Sequence, residues 1–299
     1  MKNIFAIIGP TASGKSDLSI KLAKELNSIV LSADSLSVYK GIDIASAKPT
    51  KEEMAGIEHF GIDILNPDEK FDVTIFINEY KRALNRAKEL NKGLIIVGGT
   101  SFYIKVLTNG ISQMPKVGLY IKQKVSNLLQ DKQKAFNILQ EIDLEYANKI
   151  GRGDSYRLEK ALEIFYATNT PPTKYFKENL AKPIVKDLPI YEIAVDREIL
   201  RDRVKLRTSK MLKQGLIDEV ATLEHKFGRA FQSMASIGIK EVLDYFDGEY
   251  NKLELEQKII TNTMRLAKRQ VTFNKSQLRV KFRGSVEDIY LSSMKYHSQ

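Results

Sequence analysis

Residues 9–16 read Gly9-Pro10-Thr11-Ala12-Ser13-Gly14-Lys15-Ser16 and stand between an apolar run at residues 4–8 and a helical pattern at residues 17–26. A strand, a glycine loop and a helix in this order, with the spacing G-x-x-x-x-G-K-[ST], are typical of a phosphate-binding loop (P-loop). The glycines let backbone N–H groups turn inward around a phosphate, and the helix N-terminus adds positive potential. Lys15 would neutralise the outer phosphate, and the Ser16 hydroxyl can ligate Mg²⁺. The sequence therefore predicts binding of a di- or triphosphate.

Strand and helix patterns alternate through the first third of the chain. Continuous apolar runs at residues 3–8, 28–33 and 94–97 are typical of strands buried on both faces, and helical patterns at residues 15–27 and 74–91 lie between them. This alternation predicts an α/β fold with a parallel sheet like that of P-loop NTPases and with helices on both faces.

The pattern changes near Pro115, after which helix follows helix without a strand pattern. Strand character returns at residues 190–195. Two long helices, at residues 197–214 and 252–273, precede a late strand at residues 279–282 and a final helix. We predict a P-loop catalytic core at residues 1–115 and 190–299, with an all-helical insertion domain at residues 116–189.

Two further polar residues stand at the ends of predicted strands. Asp34 follows the strand at residues 28–33, and Thr100 follows the strand at residues 94–97. Ligands of open α/β sheets bind at the carboxyl ends of the strands, so both residues should share one site with the P-loop. Asp34 could join a Mg²⁺ shell, act as a general base, or cap the following turn through Ser35. No adenine-binding pattern is visible, so the ligand could be any pyrophosphate ester.

The chain is basic, with 47 Lys and Arg against 37 Asp and Glu among its 299 residues and a net charge of +10. Such an excess suits a polyanionic partner, and a solvated lysine-rich surface is the alternative. Two clusters could contact nucleic-acid phosphates or form solvated faces. They are Arg203, Arg207 and Lys210 on one helix face, and Arg265, Lys268 and Arg269.

The composition excludes several chemistries. The chain has no cysteine, which removes disulfides, thiolate metal sites and a cysteine nucleophile. Its histidines, His59, His225 and His297, are too scattered to suggest a metal cluster. No apolar run approaches the ~18 residues of a membrane span, and no signal peptide precedes the first strand, so we expect a cytoplasmic protein without membrane contact.

Short motifs also run in a fixed order along nearly the whole chain. They are the P-loop, Ser32-Ala33-Asp34-Ser35, Asp43-Ile44-Ala45-Ser46-Ala47-Lys48-Pro49, Val97-Gly98-Gly99-Thr100, Ser236-Ile237-Gly238 and Leu266-Ala267-Lys268-Arg269-Gln270. In this order and spacing they resemble the bacterial tRNA dimethylallyltransferase family. The resemblance implies an enzyme that prenylates N6 of adenosine 37, just 3′ of the tRNA anticodon.

The resemblance also implies roles for the site residues. The P-loop would bind the diphosphate of dimethylallyl diphosphate rather than ATP, with the Mg²⁺ cofactor at Ser16. Asp34 would be the general base toward the adenine N6, and Thr100 would lie close to the reacting groups. A base of this kind contributes roughly 10²–10⁴ in rate.

Contacts to the tRNA anticodon stem-loop are implied in two stretches and at one further position. The protein is expected to act as a monomer. The implied contact residues are Asp34, Ser35, Leu36 and Ser37, then Tyr156, Arg157, Leu158, Glu159 and Lys160 in the insertion domain, and Lys122.

Four sites depart from the usual residues of the family, and at one of them Leu36-Ser37 replaces a glutamine or alanine that is common after the Asp-Ser pair. Ala45 replaces a glycine and should lose its freedom at positive φ. Phe273 replaces a tryptophan, and Lys122 replaces an arginine and its bidentate fork. These departures concern tRNA contacts rather than the reaction.

Two other functions are open to the same residues. A small-molecule or nucleoside kinase would use ATP on the P-loop with Asp34 as the base for a hydroxyl group. A non-catalytic RNA-binding protein would retain only the fold, but the intact Lys15, Ser16 and Asp34 disfavour it.

Overall fold

A computed structural model describes residues 3–297 of the chain. Within this range one six-stranded sheet has the order β3-β2-β4-β1-β5-β6, and every neighbouring pair is parallel. The predicted fold class is thereby confirmed. The strands are β1 (Ile4–Ile8), β2 (Ser28–Ser32), β3 (His59–Phe60), β4 (Gly93–Gly98), β5 (Ile190–Ile193) and β6 (Phe282–Gly284).

The described residues also form fourteen α-helices and one 3₁₀ helix, Gln232–Ala235. Aspartate or asparagine N-caps start several of them: Asp72 accepts the N–H groups of Thr74 and Ile75 at the start of α3, and Asn251 begins the longest helix, α13. The helices are α1 (Lys15–Glu25), α2 (Lys51–Met54), α3 (Val73–Glu89), α4 (Ser101–Asn109), α5 (Leu119–Leu128), α6 (Lys132–Ile142), α7 (Leu144–Lys149), α8 (Ser155–Thr168), α9 (Pro172–Glu178), α10 (Arg197–Lys213), α11 (Leu216–Phe227), α12 (Ile239–Phe246), α13 (Lys252–Gln277) and α14 (Val286–His297).

The register of the central strands brings three loops together. Ile8 of β1 pairs with Gly98 of β4, and Ser32 of β2 pairs with Val97. The P-loop, Asp34 and Thr100 follow these three strand ends directly, so the parallel sheet places them at one edge.

The late strand lies further along the chain than predicted. Residues 279–282 were expected to form it, but β6 spans Phe282–Gly284, and α13 continues past residue 273 to Gln277. The ladder with β5 sets this position, because Lys281 N donates to Ile190 O (2.7 Å) and Phe282 pairs with Tyr191. Local apolar alternation does not encode that pairing.

The chain divides into two compact units, one formed by the described residues up to Thr108 together with those from Val185 onward, the other by Asn109–Ile184. The first contains the sheet. The second contains only helices among its elements, α5–α9, around a buried cluster that includes Val125, Phe136 and Leu162. The catalytic and tRNA-contacting roles assigned to residues 1–115 with 190–299 and to residues 116–189 stay predictions.

Across residues 3–297, no helix combines the length and the apolar character that crossing a membrane requires.

Candidate active site

The P-loop backbone contains left-handed turns, as a loop that folds around a phosphate requires. Gly14 has φ +90° and Ala12 has φ +61°, in the left-handed region where a non-glycine residue is uncommon. A Cβ on Gly9 would meet Ser13 Oγ at 2.9 Å. Helix α1 begins at Lys15 with no side-chain cap, so the N–H groups of its first turn remain available to a phosphate.

Lys15 places its ammonium group inside the loop. Its Nζ donates to Pro10 O at 2.9 Å. Burial lowers the pKa of Lys15 to about 8, while the negative charge of Asp34 raises it and the positive charge of Arg207 lowers it. The pKa of Lys15 thus stays above neutral pH, and its partly desolvated ammonium group favours an anionic ligand.

Two arginines of α10 contact the P-loop, Arg207 from a half-buried position and Arg203 from an exposed one. Arg207 Nη1 donates to Thr11 Oγ1 at 3.2 Å, and Arg203 Nη1 lies 3.4 Å from Ser13 O. The helical spacing predicts one face for Arg203, Arg207 and Lys210, and the structure places the first two beside the phosphate loop. The third residue of the cluster, Lys210, is exposed.

Gln270 of α13 joins the P-loop to the end of β4. Its Oε1 accepts from Thr11 N at 2.9 Å, and its Nε2 donates to Gly99 O at 3.0 Å. Sequence reasoning placed Gln270 within a motif but assigned it no role. The motif identifies Gln270 in the sequence. Its two bonding partners lie more than 170 positions away in the chain, so only the folded structure shows the bridge.

Asp34 has one oxygen engaged and one oxygen open. Its Oδ1 accepts from Leu36 N at 2.8 Å and from Ser37 N at 3.1 Å, so the residue does cap the following turn. Within residues 3–297, Oδ2 accepts no protein hydrogen bond. The capping and base hypotheses are therefore compatible, because they use different oxygens.

Thr100 lies beside the turn that follows β2. Thr100 N donates to Ala33 O at 3.2 Å, and Thr100 Oγ1 lies 3.4 Å from Ser35 Oγ. These contacts hold the end of β4 against the Asp34 turn.

These groups line one cavity of about 590 Å³, a size typical of a small-molecule site. Its polar wall includes Lys15, Ser16, Asp34 and Thr100. Phe102, which is 45% exposed, and Phe273 add aromatic surface. The aliphatic wall includes Val204, Met211, Ile259 and Leu266.

The donor set fits Mg²⁺ bound together with a phosphate ligand. Among the described residues, no group of three or more His, Cys, Asp or Glu side chains forms a metal cage. Mg²⁺ commonly keeps several waters and takes one or two protein oxygens plus phosphate oxygens. The Ser16 hydroxyl lies in the cavity, where it could supply such an oxygen.

The residues predicted to contact tRNA fall in both units. Ser35, Leu36 and Ser37 line the cavity of the first unit, and Ser37 is buried, with its hydroxyl 3.0 Å from that of Ser32. In the second unit, Lys122, Glu159 and Lys160 line a groove, and Tyr156 and Arg157 are exposed. Leu158 is 1% exposed within the helical core, so its side chain packs against the protein.

The fold and the site define a P-loop protein with a cationic phosphate loop and a partly free carboxylate in one cavity, an arrangement suited to group transfer from a phosphate ester. The IPP transferase family model matches residues 37–277, and the chain belongs to this family. The family recognised in the sequence is thus confirmed.

Relatives match over nearly the full length. A tRNA dimethylallyltransferase of Nautilia profundicola is 54% identical over 296 residues, covering 98% of this chain and 100% of its own. The tRNA delta(2)-isopentenylpyrophosphate transferase of Staphylococcus epidermidis superposes with a TM-score of 0.71 at 30% identity, covering 99% and 98% of the two chains. A eukaryotic dimethylallyltransferase acting on tRNA superposes with a TM-score of 0.82 at 27% identity, covering 100% of this chain and 77% of its own.

Proposed function

We propose that this protein transfers a dimethylallyl group from dimethylallyl diphosphate to N6 of adenosine 37 in tRNA, releasing diphosphate. The observation that carries the proposal is the placement of the P-loop cations and the open Asp34 oxygen in one cavity. Homologous tRNA dimethylallyltransferases support the same reaction. The kinase alternative gains no support from these relatives.

The donor half of the site would stabilise the leaving group. As the allylic C–O bond breaks, negative charge grows on the diphosphate. Lys15, Arg207 and the free N–H groups at the start of α1 are placed to neutralise it. Mg²⁺ held at Ser16 would supply further positive charge to the diphosphate.

The acceptor half would remove a proton. The N6 lone pair is delocalised into the purine ring, so the amine is a weak nucleophile unless a base removes its proton. As the new C–N bond forms, N6 becomes acidic and Asp34 Oδ2 takes its proton. The N–H groups of Leu36 and Ser37 hold Oδ1 and so fix the direction of Oδ2.

The tRNA must present its adenine outside the loop stack to reach this cavity. The half-exposed ring of Phe102 offers an aromatic face next to Thr100. We assign the exposed Lys122, Tyr156 and Arg157 of the second unit to further tRNA contacts. One chain holds all of these groups, which suits a monomer, and a tRNA substrate implies a cytoplasmic enzyme.

The test uses donor labelled in its five-carbon group and unmodified tRNA. The label should move into the tRNA, and mass spectrometry of the digest should find N6-dimethylallyladenosine. Label that stays in the donor while the protein consumes ATP would support a kinase instead.

A further inference from the structure

Glu219 makes an unusual set of hydrogen bonds outside the groups described above. It lies in the first turn of α11, and its carboxylate accepts three successive backbone N–H groups. Asp43 N and Ile44 N donate to Oε2 at 2.9 and 2.7 Å, and Ala45 N donates to Oε1 at 2.9 Å. Within residues 3–297, no lysine or arginine forms an ion pair with Glu219. The three N–H dipoles therefore balance its charge, as they would balance a bound anion.

The segment that Glu219 holds forms part of the cavity wall. Ala45, Ser46 and Lys48 line the cavity that contains Asp34. The other end of the segment is fixed by Lys48, whose side chain is 5% exposed. Its Nζ donates to Tyr39 O (2.9 Å), Asp43 Oδ1 (2.6 Å) and Asp63 Oδ1 (2.5 Å). Glu219 and Lys48 thus hold the wall from two sides.

The same pair of helices also reaches the P-loop. Helices α10 and α11 are joined at Gly215, whose φ of +99° allows the tight turn between them. Arg207 on α10 contacts Thr11 of the P-loop, and Glu219 on α11 contacts the wall at residues 43–45. The two helices joined at Gly215 therefore connect the phosphate loop to the cavity wall near the general base candidate.

We propose that Glu219 is a positioning residue that sets the distance between the donor loop and the acceptor side of the cavity, without touching either substrate. This inference rests on the proposed function. A displacement of about 1 Å between reacting groups can lower a rate on the order of 10²-fold, whereas the P-loop itself would be unchanged. Loss of the clamp should therefore lower kcat rather than donor affinity.

The test compares Glu219→Gln with Asp218→Asn. Glutamine keeps the shape, but its amide NH₂ would oppose at least one backbone N–H donor. Asp218→Asn removes the same charge from the adjacent residue, whose carboxylate makes no hydrogen bond or ion pair within the described chain. We expect Glu219→Gln to lower kcat at least about tenfold at saturating substrates, with donor KM within about twofold of wild type. Equal kcat in the two variants, or a main effect on donor KM, would overturn the proposal.

Hydrogen–deuterium exchange gives a second readout that does not require the variant to fold. In the wild-type protein the amides of residues 43–45 should exchange at least about 100-fold more slowly than unprotected amides; exchange at the unprotected rate would overturn the clamp. Glu219→Gln should accelerate these amides and leave residues 14–16 unchanged. Absence of prenyl transfer by the wild-type protein would instead overturn the proposed function. The exchange measurement would still test whether Glu219 holds the amides of residues 43–45.

Discussion

The two carboxylate oxygens of Asp34 differ in their hydrogen bonds, and this difference fixes the orientation of the side chain. Oδ1 is held by two backbone N–H groups of the following turn, and Oδ2 accepts no hydrogen bond from the described residues, which leaves it open to the proposed substrate. An asparagine at this position could keep the Oδ1 contacts but could not accept a proton. The variant Asp34→Asn therefore separates the structural role of Asp34 from its chemical one.

We expect Asp34→Asn to lower the transfer rate by about 10²-fold or more, because it removes the proposed general base. The tRNA Kd should change by no more than about threefold, since the turn is retained. Single-turnover kinetics and a filter-binding titration measure the two quantities. Asp202→Asn, at an exposed site on α10, is the matched control. A near-normal rate in Asp34→Asn would remove Asp34 as the base.

Ala45 shows that a single substitution does not reveal the backbone conformation of a turn. It lacks the freedom at positive φ of the glycine usual in the family, but the structure does not require that freedom at position 45. Within the described chain the left-handed residue of this turn is Ala47, with φ +47°, whereas Ala45 is absent from the positive-φ residues. Alanine at position 45 is therefore unstrained. The sequence marks a turn but not which of its residues is left-handed.

At the scale of the element, the direction of a helix face decides what its charges do. The spacing of Arg203, Arg207 and Lys210 is readable from the sequence, but the packing of α10 beside the P-loop is not. Arg207 is consequently a candidate for donor binding, whereas Lys210 remains at the surface.

We expect Arg207→Ala to raise the donor KM at least about tenfold, because the proposed charge-assisted contact to the diphosphate would be lost. Lys210→Ala, one turn further along the same helix, should leave donor KM unchanged and weaken tRNA binding slightly at most. Steady-state kinetics with the donor varied at saturating tRNA measures both. Similar donor KM values in the two variants would place the diphosphate away from Arg207.

The last helix, α14, carries a titratable contact to the sheet. His297 stacks on Phe5 of β1 with ring centroids 4.3 Å apart, and its Nε2 lies 3.4 Å from Tyr191 Oη. Burial, together with the positive charge of Lys281, lowers the pKa of His297 from 6.5 to about 4. As pH falls from about 6.5 to about 4, His297 is protonated first in the unfolded state. The free energy of unfolding therefore decreases over this pH range.

The variant His297→Phe should therefore lose less thermal stability than wild type between pH 7 and pH 5. Its neutral ring keeps the stacking on Phe5 and cannot be protonated. Differential scanning fluorimetry at the two pH values measures Tm. The exposed histidine variant His225→Phe should retain the wild-type pH dependence. An equal fall in Tm for His297→Phe and wild type would contradict this role of His297.

At the scale of the whole molecule, the sequence predicted most of what local chemistry encodes. The P-loop, the parallel sheet and the meeting of Asp34 with Thr100 follow from motif spacing and strand order. The Gln270 bridge and the Glu219 clamp join residues more than 170 positions apart, and β6 depends on its partner strand. Such features depend on tertiary packing, which one sequence pattern does not specify.

The net charge of +10 predicts a salt-dependent complex with tRNA. Binding to phosphates releases counterions, so log Kd should rise linearly with log salt concentration. Between about 50 and 200 mM salt, the tRNA Kd should increase at least about tenfold. The titration is repeated with dimethylallyl diphosphate alone as the comparison ligand. A flat response for tRNA would mean that the basic surfaces do not contact phosphates.

The entry and exit of the helical unit allow it to be removed as a piece. Val185 N donates to Leu107 O at 2.9 Å, so the chain leaves and rejoins the sheet-containing unit at neighbouring positions. Replacing Asn109–Ile184 with a short Gly-Ser linker closes only a small gap and leaves the six strands and the cavity residues in place.

We expect this deletion variant to unfold cooperatively and to bind dimethylallyl diphosphate within about threefold of wild type, because the P-loop, Arg207 and Gln270 remain. Its tRNA Kd should rise at least about tenfold, since the proposed contacts of Lys122, Tyr156 and Arg157 are lost. Calorimetry for the donor and a gel-shift titration for tRNA separate the two effects. The triple variant Lys122→Ala, Tyr156→Ala, Arg157→Ala in the full chain is the control for linker artefacts. Wild-type tRNA affinity in both proteins would move tRNA recognition entirely to the sheet-containing unit.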